Sequence, residues 1–160
     1  MVSNFLKRLF GKRASGHDDA PTSDIPGDLH EAALALMQAN TGADNCFLAY
    51  LSPDRVHVAE SRYYLRTESM LPQHVLACWT WQDAQWQPVD AADYLARRER
   101  QGTERIEFAV CMAGEQAIIV RKRIFQVLET RCGGSGGTVI LQRTPQGWVK
   151  SDEPGEAWII

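Results

Sequence analysis

At 160 residues the chain suits a single domain and is long enough to bury a core without disulfide staples. Its 44% hydrophobic and 23% charged residues exclude a disordered or fibrous polymer, and no apolar run approaches the roughly 20 residues of a membrane-spanning helix. The formal net charge of -3 hides an asymmetry: Lys7, Arg8, Lys12 and Arg13 put +4 into the first 13 residues and leave -7 for the rest, so the body is not expected to bind nucleic acid. Cys46, Cys78, Cys111 and Cys132 stand singly, without the paired spacing of a zinc or redox motif, and are expected to be reduced thiols in a cytoplasmic protein.

The N-terminal stretch places Phe5, Leu6, Leu9 and Phe10 at helical spacing, with Lys7, Arg8, Lys12 and Arg13 between and after them. A basic amphipathic segment this short is marginal alone in water and gains order against an anionic membrane surface or a partner groove. A frayed terminus that touches the domain weakly is the plainer alternative. It lacks a secretory apolar region and cleavage site. Residues 14–27 are dominated by Ser, Asp, Gly and Pro and suit a flexible linker. The expected organisation is therefore an amphipathic segment and linker over 1–27, dispensable for folding, and one domain over 28–160.

Asp28 has the position of a helix N-cap, with Glu31 completing a capping box and Gly42 placed to end the helix. Residues 46–51 and 56–65 are strand-like and are joined by Ser52, Pro53, Asp54 and Arg55, a type I turn. After an irregular stretch over 67–73, residues 74–81 and 86–89 form a hairpin around Gln82, Asp83, Ala84 and Gln85. Asp90 caps a second helix that runs to Gly102. Beyond it, Ile106, Phe108, Val110 and Met112 alternate with Glu107, Ala109 and Cys111, the period of a strand with one buried face. A turn at Gly114 leads to a long strand over 117–131, and Gly133, Gly134, Ser135, Gly136 and Gly137 are expected as a mobile hairpin tip. Strands over 138–143 and 148–150 close the meander around Pro145 and Gly147.

These elements predict an α+β fold, a curved antiparallel sheet of seven or eight strands packed on two main helices. Helix plus four strands occurs twice, displaced by about 62 residues, so that Phe47 matches Phe108, Arg62 matches Arg123 and Trp86 matches Trp148; an internal duplication would explain it.

No catalytic constellation emerges. The glycine run leads into a strand instead of opening a helix, so it is not a phosphate loop. His17, His30, His57 and His74 have no second ligand at metal spacing, and neither a metal nor a cofactor is expected. Trp79 and Trp81 share one side of their strand and Trp86 returns across the hairpin, forming either a core seal or the apolar wall of a contact surface. Basic side chains cluster at Arg97, Arg98, Arg100, Arg105, Arg121, Lys122 and Arg123; because Arg97, Arg98 and Arg100 cannot share one helical face, part of this cluster is expected as solvated charge. Arg121 and Arg123 do share a strand face and suit an acidic partner.

From Asp90 onward, a helix and four strands ending in Thr138, Val139, Ile140, Leu141, Gln142, Arg143, Thr144, Pro145, Gln146, Gly147, Trp148, Val149 and Lys150 resemble the end of a nuclear-transport-factor-two-like, cystatin-like domain. The resemblance implies a cone-shaped antiparallel sheet wrapped on helices, in a family that ranges from enzymes with an Asp or His in the cone to inert binding, assembly and immunity modules. No catalytic residue of that family maps onto this chain. The expectation is a non-enzymatic cytoplasmic protein-binding module of accessory or immunity type, with Trp79, Trp81, Trp86, Arg121 and Arg123 as contacts. Its rivals are an enzyme whose His57, Asp83 or a tyrosine such as Tyr63 or Tyr64 projects into a cone pocket, and a peripheral membrane protein tethered by residues 1–13. For the tether, the full chain should sediment with anionic vesicles and a chain lacking residues 1–13 should not; equal sedimentation of the two contradicts a membrane role.

Overall fold

The computed structural model describes residues 25–38, 45–60, 62–101, 104–128, 131–152 and 157–159. The amphipathic segment with Phe5, Leu6, Lys7, Arg8, Leu9 and Phe10, the expected helix stops Gly42 and Gly102, and most of the linker lie outside them. Helix α1 spans Gly27–Met37 and helix α2 spans Ala91–Gln101. In α1, Leu29, Ala33 and Met37 recur every fourth residue and form the buried stripe. Its start differs from the expected capping box: Pro26 occupies the N-cap without a side-chain bond, and Asp28 Oδ1 accepts from the neighbouring Leu29 N–H at 2.9 Å. Ile25 is buried against the same core, so the folded unit begins before Asp28 and a cut after residue 27 removes a core side chain. Asp90 does cap α2, its Oδ1 accepting from Asp93 N–H at 2.8 Å.

The strands are β1 (Cys46–Leu51), β2 (Val56–Ala59), β3 (Arg62–Leu65), β4 (Val75–Gln82), β5 (Gln85–Val89), β6 (Arg105–Ala113), β7 (Gln116–Leu128), β8 (Arg131–Thr144), β9 (Gly147–Lys150) and β10 (Ala157–Ile159). Eight of them form one sheet in the order β10-β8-β7-β6-β1-β4-β5, with β9 also on β8, while β2 and β3 make a separate ribbon. The fold is α+β as expected, but the sheet is mixed. β1 and β6 pair in parallel, Leu48 beside Phe108, and every other pair is antiparallel. The physical reason is the crossover: α2 carries the chain from edge strand β5 back past β4 and β1, and such a return delivers β6 in the direction of β1.

A second difference follows at once. All six residues of β1 are buried, so the sheet is covered on both faces. Alternate residues feed two cores. Leu48, Tyr50, Trp79, Phe108, Val110 and Ile119 pack under α1, whereas Phe47, Ala49, Cys78, Ala109, Ile118 and Val120 pack under α2 with Tyr94. The two helices thus lie on opposite faces.

The repeat has a different form from the expected helix plus four strands, because each helix is followed by five. Residues 56–65 are not one strand: Glu60 has a φ of 51°, the chain turns there, and β1 skips the resulting ribbon to pair with β4. Arg62 therefore sits on a detached ribbon while Arg123 lies inside the main sheet, and the match between them is lost. Phe47 and Phe108 stand on opposite faces, the relation a half-turn about an axis along the β1–β6 seam produces.

The glycine run is likewise not a hairpin tip. It lies within β8, where Gly133, Gly134, Ser135, Gly136 and Gly137 pair with Phe125, Ile124, Arg123, Lys122 and Arg121 of β7, and the last three of them also face β10. Hydrogen bonding on two sides overrides the poor strand preference of glycine.

Candidate functional site

The five residues expected to make contacts divide into one core residue and a surface group. Trp79 is 1% exposed and packs between His30 and Tyr50, so it belongs to the core. Trp81 and Trp86 are direct cross-strand partners on the β4–β5 hairpin, half-buried, with ring centroids 5.5 Å apart in a T-shaped contact at 76°. The turn that aligns them is tight: Asp83 and Ala84 both have positive φ, 52° and 59°, the conformation of a two-residue hairpin loop with the twist of its strands.

Sheet register then carries the row across. Extending the β1–β4 pairing by one residue sets Trp81 opposite Cys46, which is level with Ile106, which is level with Arg123. Trp86, Trp81 and the exposed Arg123 consequently share the α1 face, with about 14 Å, three strand spacings, between Trp81 and Arg123. Arg121 lies one row further along on the same face, level with Phe108 and Trp79, and is half-buried.

On the α2 face the structure gathers Arg98, Arg105 and Lys122 of the basic cluster around Glu107 and Thr67. Glu107 is 3% exposed, and its Oε1 accepts from Nε of both Arg98 on α2 and Arg105 on its own strand. Arg98 Nη2 also reaches Glu107 Oε2 at 3.3 Å and the carbonyl of the buried Thr67 at 2.6 Å. Lys122, cross-strand from Glu107, donates through Nζ to Thr67 Oγ1. Burial alone would lower the Arg98 guanidinium, but the hydrogen bonds and charge of Glu107 outweigh it and hold the group above its usual range. Lys122 moves the other way: burial lowers its ammonium despite the opposing pull of Glu107 and Glu68, and the charges of Arg98 and Arg105 add to the lowering. The available signal was Glu107 itself, a carboxylate in a strand that is otherwise apolar from Ile106 onward, where a buried charge is tolerated only with a partner.

The candidates for an enzyme do not converge. His57 is exposed on the detached β2–β3 ribbon, 6.2 Å from the Tyr64 ring and with Nδ1 3.3 Å from Arg66 Nη2, whereas Asp83 is exposed in the β4–β5 turn. Tyr63's side chain lies outside the described residues. His74 closes a short 3-10 turn, its Nδ1 accepting from Leu71 N–H at 2.9 Å. Among the described residues no group of three His, Cys, Asp or Glu side chains is placed to hold a metal ion. Cys111 is buried and its thiol is pushed up to about 11, chiefly by that burial, so it is neutral near pH 7. No family model matches the chain, and neither a curated protein nor a solved structure matches it.

His30, in the first turn of α1, is buried between the helix and the sheet, its Nδ1 2.7 Å from Tyr50 Oη and its ring centroid 4.6 Å from Trp79. Burial lowers its pKa from 6.5 to about 4 and raises that of Tyr50. A histidine kept neutral in the fold but free to protonate when unfolded favours the unfolded chain in acid. Its stabilising effect is therefore complete above pH 6.5 and is lost as pH falls towards 4, by about 3 kcal/mol in all. Denaturant titrations from pH 7 to 4 should show a steeper loss for the native chain than for His30→Gln, which keeps a polar partner for Tyr50; parallel curves would contradict this.

Proposed function

We propose that the chain is a non-enzymatic binding module that docks on a protein partner through Trp81, Trp86 and Arg123, with Arg121 beside them. The observation that carries this reading is the Trp81–Trp86 pair: two indoles left half-buried at the edge of the sheet, on the face that also presents Arg123. Tryptophan and arginine supply a disproportionate share of binding energy at interfaces, because a large apolar area and a planar charge are desolvated together. The complementary partner surface is an apolar patch flanked by carboxylates. Trp79, packed in the core against His30 and Tyr50, is not part of the docking surface. An accessory or immunity-type role in the cytoplasm is the setting in which such a contact module acts, and residues 1–13 add a tether to it.

The test is capture of the partner from the native cell with the full chain, followed by affinity measurement on the purified pair. Trp81→Ala, Trp86→Ala and Arg123→Glu should each weaken a stoichiometric partner about 30-fold or more while leaving the melting temperature within a few degrees. A partner retained at native affinity by all three variants contradicts the reading, as does a co-purified small molecule in place of a partner.

A further inference from the structure

Among the described residues the cluster around Glu107 is rich in positive charge. Arg98, Arg105 and Lys122 carry three positive charges, and Glu107 is the one buried carboxylate among them; Glu68 stands exposed at the margin. Both guanidiniums direct Nε at the same oxygen of Glu107, so that carboxylate is already shared. Lys122 is half-buried, yet among the described residues its Nζ bonds to a neutral oxygen, Thr67 Oγ1, and forms no ion pair. A half-buried ammonium that bonds to a neutral hydroxyl, with Glu107 and Glu68 acting on it only through space, lacks the direct anionic partner that such groups normally have.

We propose that this cluster is a phosphate-binding site, in which Lys122 Nζ and the Thr67 hydroxyl hold the phosphate oxygens and Arg98 and Arg105 supply the surrounding positive field. The donor set selects that ligand over a carboxylate. The Nε edges of Arg98 and Arg105, which would clamp a planar carboxylate, are engaged by Glu107. What remains is a point-charge ammonium with three donors and a hydroxyl that accepts from it and keeps its own proton to donate, a pair suited to tetrahedral oxygens. The sign of the charge agrees as well, since a phosphate group brings about -1.5 to -2 near pH 7 and, among the described residues, the Lys122 ammonium has no ion pair. The site lies on the α2 face, opposite the tryptophan surface, and is independent of protein docking there.

Inorganic phosphate and glycerol 3-phosphate, each titrated into the full chain by calorimetry at pH 7.5 and constant ionic strength, test the site. Saturable one-to-one binding is expected for at least one of them, with a melting temperature raised above that in matched chloride, and acetate should not compete. Tighter binding of the monoester identifies an organic phosphate as the ligand, and tighter binding of the inorganic ion identifies free phosphate. Lys122→Gln should weaken binding about ten-fold or more. Thr67→Val, which keeps the shape and removes the hydroxyl, should weaken it in the same direction and serves if Lys122→Gln does not fold. Phosphate acting no differently from chloride on the native chain, or unchanged binding by a folded Lys122→Gln or Thr67→Val chain, overturns the proposal.

Discussion

A carboxylate in the middle of a sheet has to be neutralised, and Glu107 is neutralised from two directions. Arg105 comes from two residues earlier on the same strand, and Arg98 comes down from α2 on the opposite side of the gap. Because Arg98 also binds the Thr67 carbonyl, the same guanidinium ties together the helix, the central strand β6 and the segment that follows β3. That single junction fixes where α2 sits on its face of the sheet, and Tyr94, one turn earlier, packs edge-on against Phe47 with centroids 5.8 Å apart. Charge pairing of this kind adds little net stability compared with an apolar replacement, but it is costly to break and it discriminates against other positions of the helix.

The other half of the molecule is organised by apolar contact. On the α1 face, Leu29, Ala33 and Met37 cover Leu48, Trp79 and Phe108, and the buried polar pair His30 and Tyr50 satisfies itself within that layer. With helices on both faces, β1 is buried along its whole length and β6 from Glu107 to Cys111, which suits a parallel pair at the centre. The surface features then fall where the helices do not reach: the Trp81–Trp86 contact at one edge, and the half-exposed basic groups beside Glu107 on the reverse.

Much of the local chemistry was legible in the sequence, the Asp28 cap and the turn at Glu60 excepted, and long-range pairing was not. Asp90 as a cap, the hairpin around Asp83 and Ala84, and the facing of Trp81 to Trp86 depend on residues close in the chain, and all have the form their spacing implies. The parallel seam between β1 and β6 joins segments about 60 residues apart, and nothing in either strand's alternation marks its direction. Alternation in β6 did place Phe108 and Val110 together, but the intervening Ala109 and Cys111 are small enough to be taken for a half-exposed face, and they are buried under α2. The glycine run misled for the opposite reason: its composition argues for a loop, whereas pairing with β7 and β10 makes it a strand. The charge cluster was hidden because Thr67, Arg98, Arg105, Glu107 and Lys122 come from four separate stretches, and only the fold sets them side by side.

The most direct measurement is a double-mutant cycle on Arg98 and Glu107 by chemical denaturation of the full chain near pH 7. If the buried carboxylate and its guanidinium anchor α2, Arg98→Met and Glu107→Gln each lose about 3–5 kcal/mol, and the double variant loses clearly less than their sum, because the Arg98–Glu107 interaction is lost once in either single variant and cannot be lost again, while Arg105 stays in every variant of the cycle. Single losses within about 0.5 kcal/mol of zero, adding without coupling, would contradict the anchor.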